Sequence, residues 1–504
     1  MSDPSLLRRI VIVGGGSAGW MTAAALSSLL DPKDVSITLV ESDAIGTVGV
    51  GEATIPDILA FNRMLGVGEA EFMAATQATF KLGIAFADWG RLGDRYIHPF
   101  GQHGVDMQGF DFHQYWLRCR QAGDPEPIED YSLCAVAARE ERFVLPDADP
   151  RSLLSQLRYA YHFDATLYAR FLRRYAEARG VQRIEGIVRQ VRQAPETGYI
   201  SAIDLEDGRS VAGDFFFDCT GFRALLTAET LGTPFVDWSH WLPCDTALAV
   251  PSEHVGPPAP YTRATARGAG WQWRIPTQRR VGNGHIFSSA FMTEDDAAAR
   301  LMANLDGPAL AEPRRIRFRA GCRERFWTGN CIAIGLAAGF LEPLESTSIY
   351  LIQEGISRFI SLFPRADMPD ILRTEYNRHM RTEFEQVRDF IILHYAATER
   401  DDTPFWNHCR TMTLPDSLQH KIDLFRQTGR VFRYNDELFT RPSWVAVMLG
   451  QRIEPRICDP VVSSLPIEEV RRSLASMRGA MQKAAAQMPT HAAFIARYCP
   501  ARTA

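Results

Sequence analysis

The chain has 504 residues, which is more than one hydrophobic core usually supports, so two modules or one large elaborated unit are expected. Hydrophobic residues make up 46%, enough for a full core, while a net charge of -5 and a pI near 6.2 exclude the long basic field of a nucleic-acid-binding protein. The nine cysteines include no C-x-x-C pair and no histidines at ligand spacing, so neither a metal site nor a disulfide framework is predicted.

Residues 10–41 carry the pattern of a nucleotide-binding βαβ unit. An apolar run at 10–13 predicts a buried parallel strand, a G-x-G-x-x-G turn follows, and a helical pattern leads to a second strand that ends in Glu41. The first glycine of such a turn permits the bend, the second lets the backbone approach a pyrophosphate, and the third lets helix pack on strand. Glu41 would accept a hydrogen bond from the adenosine ribose. The predicted cofactor-binding residues of this unit are Gly14, Gly16, Ser17, Ala18, Gly19 and Glu41. The alternative is an ordinary glycine-rich turn.

The N-terminus resembles a signal peptide only superficially. Arg8 and Arg9 precede an apolar run, but glycines interrupt that run, and no other apolar stretch reaches the length of a membrane span. We therefore expect a cytoplasmic protein without a membrane or nucleic-acid partner.

From about residue 79 to about residue 349, the chain alternates between predicted strands and predicted helices. Residues 79–86 alternate like a strand, 90–150 are rich in loops and aromatic side chains, and 168–175 have helical spacing. Val181 to Val191 predicts one strand, and a hairpin is expected around Asp207-Gly208. Residues 245–300 predict an antiparallel platform, whereas helical patterns dominate from Ile349 to the end.

Two later segments indicate that the dinucleotide is FAD rather than a nicotinamide. Residues 215–221 and 331–339 each form an apolar run that closes on glycine, and the second precedes a helix predicted from about Ser346. Two further strands in the same sheet would suit a long, bent cofactor such as FAD. Its flavin end would lie at a helix N-terminus, where backbone amides stabilise negative charge or hold a halide. Alternatively, both are glycine-tolerant strand ends of a large α/β sheet.

Two charged side chains are candidates for catalysis. Lys81 lies in the alternating run 79–86, where a buried amine would donate to a hypohalous acid or carry halogen as a haloamine; alternatively it faces solvent. Glu345 precedes the predicted helix at Ser346 and would orient the electrophile or take the proton lost by an aromatic ring. Alternatively it is a helix-start carboxylate stabilised by the helix dipole.

Aromatic residues predict a pocket for a planar ligand. Trp271 and Trp273 are two positions apart on a predicted strand, so both rings project from one face as a planar wall. His98 and Phe100 add to an aromatic cavity. The alternatives are ordinary core tryptophans and a structural histidine.

These residues together resemble the flavin-dependent tryptophan halogenase family over nearly the whole chain. The resemblance is carried by Gly14 to Trp20, by Gly49 to Pro56 (GVGEATIP), by Phe80-Lys81, by Trp271 to Pro276 (WQWRIP) and by Gly339 to Thr347 (GFLEPLEST). In the family the tryptophan motif keeps substrate away from the flavin and so distinguishes halogenases from monooxygenases.

The resemblance implies an α/β fold with a discontinuous module. An FAD-binding Rossmann-like module of the glutathione reductase or monooxygenase type is expected at 8–95, 155–230 and 320–365. An interleaved, largely helical substrate-binding module is expected at 96–154, 231–319 and 366–504. Further cofactor-binding residues are expected at Glu52, Ala53, Thr54, Val188, Gly335 and Ile349.

The resemblance also implies the reaction. FADH2, made by a separate flavin reductase and reaching the protein by diffusion, reacts with O2 and chloride or bromide to give hypohalous acid. Lys81 holds the halogen or is halogenated, and Glu345 assists attack by an electron-rich ring. Thr347 and Ser348 match halide-site positions, although members commonly have glycine after the threonine. No second G-x-G-x-x-G unit for a nicotinamide is present, which agrees with an external reductase.

The substrate is a small aromatic compound. His98, Phe100 and Trp444 are expected in its pocket beside Trp271 and Trp273, but no clamp for an amino-acid backbone is evident. We therefore expect indole or a larger indole-containing or phenolic compound rather than free tryptophan, and a preference for bromide is a further hypothesis.

Two alternative functions are a flavin-dependent aromatic monooxygenase or oxidase and a non-catalytic flavin-binding protein. A homodimer is common in the family.

Overall fold

The computed structural model describes residues 7–45 and 51–502. The strands in these residues are β1 Arg9–Val13, β2 Ser36–Glu41, β3 Gly51–Ala53, β4 Thr79–Lys81, β5 Gly83–Ala87, β6 Arg95–Pro99, β7 Ala160–Asp164, β8 Gln182–Glu185, β9 Val188–Gln193, β10 Ile200–Leu205, β11 Ser210–Ala212, β12 Phe215–Asp218, β13 Phe235–Asp237, β14 Thr246–Ser252, β15 Thr262–Arg267, β16 Gly270–Pro276, β17 Val281–Phe287, β18 Arg314–Arg317, β19 Gly321–Arg323, β20 Trp327–Thr328, β21 Cys331–Ala333 and β22 Gly339–Phe340.

The α-helices are concentrated in the C-terminal part of the chain. In order they are α1 Ser17–Leu29, α2 Asp57–Met64, α3 Glu69–Thr76, α4 Phe112–Gln121, α5 Leu133–Arg139, α6 Ala165–Glu177, α7 Glu294–Ala303, α8 Ser348–Ser361, α9 Asp370–Ala396, α10 Pro404–Thr411, α11 Asp416–Thr428, α12 Arg441–Gly450, α13 Pro460–Ser463, α14 Ile467–Ala486 and α15 His491–Tyr498. No helix of the described residues has both the length and the apolarity that crossing a membrane would require.

A six-stranded sheet confirms the predicted Rossmann-like fold. Its strand order is β20-β21-β12-β1-β2-β8, and all neighbours run parallel except β20 and β21. Val13 pairs with both Val40 and Asp218, so three strands end at the same level. The glycine turn leaves β1 at that edge, where ligands of open α/β sheets bind.

A seven-stranded sheet forms the predicted platform. Its order is β18-β14-β17-β16-β15-β5-β6, with antiparallel neighbours except the parallel pair β15 and β5. The strands predicted within 245–300 are therefore confirmed, and α7 follows them. This sheet also contains the strands β5 and β6 from residues 83–99, so the strand after Lys81 is separated from the tryptophan strand β16 by β15 alone. The boundaries of the two modules remain a prediction.

Two details of the predicted element order are wrong. The run 79–86 divides at Leu82, whose N–H donates to Pro260 O, so β4 and β5 lie in different sheets. The run Val181 to Val191 divides at Gly186, and β8 and β9 likewise lie in different sheets. The loop-rich character predicted for residues 90–150 is confirmed, although this stretch also contains β6, α4 and α5. Alternation of side chains is a local signal, and it does not reveal which partner strand each half of a run selects.

The glycine turn yields a matched pair of stability predictions. Gly14 has φ +111°, and a Cβ there would lie 2.2 Å from Cys219 O, whereas a Cβ on Gly16 meets nothing within 4 Å. Gly14→Ala should therefore lower the free energy of unfolding by about 2 kcal/mol or more, and Gly16→Ala should change it by less than about 0.5 kcal/mol. Urea denaturation of both variants beside the wild type checks this, and equal loss in both would contradict it.

Candidate active site

A cavity of about 520 Å³ lies at the carboxyl edge of the parallel sheet. Its volume is in the range of cofactor and small-molecule sites. Predicted site residues that line it are Gly14, Gly16, Ser17, Ala18, Glu41, Glu52, Ala53, Val188, Gly335, Ser348, Ile349, Trp271 and Trp273. Predicted site residues outside its lining are Gly19, Thr54, Lys81, His98, Phe100, Glu345, Thr347 and Trp444. Gly49 and Val50 of the second motif lie outside the described residues.

The geometry of the turn fits a dinucleotide. The Cβ position of Gly16 is open, so a phosphate can approach its backbone, and α1 begins at the next residue. A Cβ on Gly19 would lie 1.8 Å from Gly14 O, which explains why close packing of helix on strand needs glycine there. Glu41 lies 2.6 Å from the Nε of Arg183 on β8, a neighbour that sequence reasoning missed.

Lys81 is fully buried, so the solvent-facing alternative is wrong. Its Nζ donates to Thr54 O at 3.0 Å and to Ser346 Oγ at 2.7 Å, and lies 5.0 Å from the centre of the Phe100 ring. Burial lowers the pKa of Lys81 to about 7, although the charges of Glu345 and Glu52 oppose the shift. Because Ser346 also lines the cavity, it connects the amine to the dinucleotide side.

Glu345 lies between two histidines. Its Oε2 is 2.8 Å from His98 Nδ1, and its Oε1 is 2.8 Å from His394 Nε2. The second contact is electrostatic, because it does not lie along a ring N–H direction. Burial raises the pKa of this carboxyl, but the charges of both histidines and the hydrogen bond with His98 outweigh burial and lower the pKa to about 2. The carboxylate therefore stays ionised at neutral pH.

His394 is a site residue that the sequence reasoning missed. It lies in α9, where the sequence indicated only a helix, and its Nδ1 donates to Phe390 O at 2.8 Å. The only available signal was a histidine within the apolar run Phe390 to Tyr395, a pattern that a structural histidine also produces. Its partner Glu345 is distant in sequence, so only folding reveals the contact.

The two tryptophans share one face of β16, but they do not form a planar wall. Their ring centres are 6.1 Å apart, and the planes are inclined by 58°. Trp273 lies over its cross-strand partner Gly284, where a Cβ would come within 2.0 Å of the ring. Trp271 instead has an anchor, because its Nε1 donates to Glu342 Oε2 at 2.8 Å. The inclination of the two rings depends on the residues that each ring contacts outside β16. The alternation of side chains along one strand does not specify those residues.

A second aromatic group surrounds His98. Its ring centre is 5.7 Å from that of Phe390, which stacks on Phe439 at 3.7 Å. Trp444 on α12 meets Phe390 edge to face at 4.8 Å. His98 and Trp444 therefore both contact Phe390, whereas Phe100 lies beside Lys81.

The two residues of the predicted halide site begin α8. Thr347 is buried, and its Oγ1 has no hydrogen-bond partner in the described residues. Ser348 is the first residue of the helix and lines the cavity. A free hydroxyl beside unsatisfied N–H groups at a helix N-terminus suits an anion.

Comparison with known proteins decides the family. The tryptophan halogenase family model matches residues 9–466. The chain belongs to the tryptophan halogenase family. It is 39% identical to the tryptophan 6-halogenase SttH of Streptomyces toxytricini over 88% of this chain and 89% of that protein. A flavin-dependent halogenase from Xanthomonas campestris superposes with a TM-score of 0.96 at 51% identity, covering 99% of this chain and 100% of that one. BrvH, a flavin-dependent halogenase from Brevundimonas sp. BAL3, gives 0.95 at 49% identity, covering 98% and 99%.

The family settles the class of activity. This member of the tryptophan halogenase family is a flavin-dependent halogenase, an oxidoreductase that uses reduced FAD, O2 and halide. The predicted family, fold, enzyme class and cofactor are confirmed, and the monooxygenase alternative is not supported. The roles of individual residues remain predictions.

The two histidine contacts of Glu345 predict an acid-dependent loss of stability. Because its folded-state pKa lies below the ordinary 4.5, Glu345 contributes stability above that pH and loses it as the pH falls toward 2. Between pH 5 and 3 the wild type should lose about 2 kcal/mol more free energy of unfolding than Glu345→Gln. Urea denaturation across this range measures both, and equal losses would contradict the prediction.

Proposed function

We propose that this halogenase transfers halogen from hypohalous acid to an electron-rich, indole-type ring at Lys81 and Glu345. The observation that carries the proposal is a buried amine linked through Ser346 to the edge of the dinucleotide cavity, with Glu345 immediately before Ser346 in the chain. Bound FAD, in its reduced form, would supply two electrons to O2, and O2 would take two more from halide, which is thereby oxidised to hypohalous acid. The glycine turn and the residues lining the cavity would hold it.

Lys81 receives the halogen in this proposal. A pKa near 7 leaves much of the amine neutral at neutral pH, and a neutral amine is a nucleophile. Its nitrogen bonds to the halogen of hypohalous acid, the halogen–oxygen bond breaks, and the released hydroxide takes the amine proton as water. The aromatic ring then attacks the halogen, and the nitrogen–halogen bond breaks while the nitrogen takes up a proton, which restores the amine. The proton that the ring afterwards loses balances the one that the nitrogen gained.

Glu345 takes the proton that the ring loses. It is ionised at neutral pH, and the His98 ring beside it belongs to the aromatic cluster that contains Phe390 and Trp444. The two histidines fix both carboxylate oxygens, which keeps the base in position. Thr347 and Ser348 would bind halide where α8 begins.

The surroundings of Trp444 favour a substrate without a charged backbone. Lys421 lies 4.4 Å above the Trp444 ring, but its Nζ is only 2.8 Å from Glu437. Both residues are buried, and each neutralises the other. Indole or a larger indole-containing or phenolic compound therefore suits the site better than the zwitterion of free tryptophan. Reduced FAD would come from a separate flavin reductase, and a homodimer remains a prediction.

Mass spectrometry tests the proposed reaction. Indole and tryptophan are incubated separately with the protein, FAD, a flavin reductase, NADH, O2 and bromide or chloride. The wild type should give a halogen isotope pattern, and Lys81→Met should lower halogenated product by about a hundredfold or more, because the halogen acceptor is lost. Lys483→Met, on the exposed face of α14, should behave as wild type.

The oxidant must also be measured. Lys81→Met should still release hypohalous acid, which a scavenging dye detects, because its formation belongs to the dinucleotide cavity. Product at the wild-type level in Lys81→Met, or oxygen addition without halogen in the wild type, would refute the proposal.

Ser348 predicts halide selectivity. With equal bromide and chloride, the wild type should form mainly brominated product. Ser348→Gly removes a side chain that lines the cavity at the first turn of α8 and should raise the chlorinated share several-fold, about 1 kcal/mol in relative barrier. The ratio of the two products in one competition assay decides this, and equal use of both halides by the wild type would contradict it.

A further inference from the structure

Glu342 is a buried carboxyl that the proposed reaction does not use. It is fully buried, and its Oε2 accepts hydrogen bonds from Trp271 Nε1 at 2.8 Å and from the Tyr395 hydroxyl at 2.5 Å. Its Oε1 has no partner, and Glu342 forms no ion pair among the described residues. Burial raises the pKa of Glu342 to about 7 although both bonds oppose the shift.

Such a group is costly, so its position needs an explanation. A buried carboxyl without a cation and with one unpaired oxygen destabilises the fold by the desolvation of that oxygen. A well-packed apolar residue would avoid this cost. A native structure that keeps such a group therefore needs a reason for it, and a role at a functional site is one such reason.

Glu342 connects two elements behind the tryptophan pair. Trp271 comes from β16 and Tyr395 from α9, and the ring of Trp89 lies against both, at 6.4 Å and 5.5 Å between centres. Trp273 has no equivalent anchor, because its Nε1 lacks a partner among the described residues. Of the two tryptophans that line the cavity, only Trp271 is therefore fixed through a hydrogen bond of its ring nitrogen to another described residue.

Glu342 also precedes the reactive cluster directly. Glu345 and Ser346 follow it within the same turn, and Ser346 accepts the hydrogen bond from Lys81. Trp271 and the Lys81 amine are thus hydrogen-bonded to two residues, Glu342 and Ser346, that lie four positions apart in one turn. The wall of the cavity and the halogen acceptor share one support.

We propose that Glu342 is a positioning residue that locks the Trp271 indole in the wall of the dinucleotide cavity, so that hypohalous acid formed there reaches the Lys81 amine instead of escaping. This inference rests on the proposed function. It concerns the fraction of oxidant that is delivered, and not the formation of the oxidant.

The test compares two substitutions at Glu342. Glu342→Gln keeps an acceptor oxygen for both donors, and Glu342→Leu removes it. In the bromide assay, halogenated indole and scavenger-detected hypohalous acid are measured together for each variant. Glu342→Leu should lower the ratio of product to escaped oxidant by about tenfold, since misplacement by a fraction of an ångström is costly, while Glu342→Gln stays within about twofold of the wild type.

Trp271→Phe separates positioning from general stability. It keeps an aromatic ring in the cavity but removes the N–H donor, so it should lower the same ratio in the same direction. The double variant Glu342→Leu with Trp271→Phe should be no worse than the lower single variant, because both disrupt one interaction. Tyr395→Phe leaves the Trp271 bond intact and should have a smaller effect on the ratio. Thermal unfolding and FAD content are recorded for every variant.

The outcomes separate this inference from the proposed function. A wild type that yields no halogenated product refutes the proposed function itself. If the wild type halogenates indole and Glu342→Leu keeps the wild-type ratio, positioning by Glu342 is refuted. If Glu342→Leu does not fold, Trp271→Phe decides the question, and an unchanged ratio in that variant overturns the inference.

Discussion

The hydrogen bond from Lys81 to Ser346 is the contact on which the arrangement of the site depends. It joins β4 to the turn before α8, and it places a buried amine at the edge of the dinucleotide cavity. Ser346 has φ +60°, a left-handed conformation that is unusual for serine and common at functional turns. That conformation turns the chain between Glu345 and the helix. The strained conformation of this one residue therefore fixes the positions of both the Lys81 amine and the Glu345 carboxylate.

The same turn distributes three polar side chains to three parts of the fold. Glu342 reaches Trp271 on the platform sheet, Glu345 reaches the two histidines, and Ser346 reaches Lys81. All three are buried, so each needs its partner in place. Buried polar networks stabilise a single arrangement when they are satisfied, and lose much of their value when one member shifts. This coupling explains how one short segment serves both the cavity and the reactive cluster.

Burial disfavours the charged form of both proposed catalytic groups, but it prevails only at Lys81. It lowers the pKa of Lys81 toward neutrality, whereas at Glu345 two histidines overcome it and keep the carboxylate charged. A nucleophile and a base are thus available together near neutral pH. Such divergence between neighbouring titratable groups is typical of catalytic sites.

The sequence by itself determined the family, the βαβ unit and the position of the dinucleotide cavity, because these depend on local patterns. Glycines at 14, 16 and 19 and an acidic strand end act within one short unit. The sequence also singled out Lys81 and Glu345, but chiefly through resemblance to a known family. The division of 181–191 into two strands and the inclination of the tryptophan rings could not be predicted from the sequence. Both depend on contacts with strands that are distant in the chain.

Only the tertiary structure decided that Lys81 is buried, that His394 faces Glu345, and that Glu342 holds Trp271. Each contact joins residues about 50 or more positions apart, and no periodicity within a strand or helix encodes such a partner. The chemical character of each side chain was present in the sequence. Its protonation and orientation were set by the burial and the partners that folding brought together.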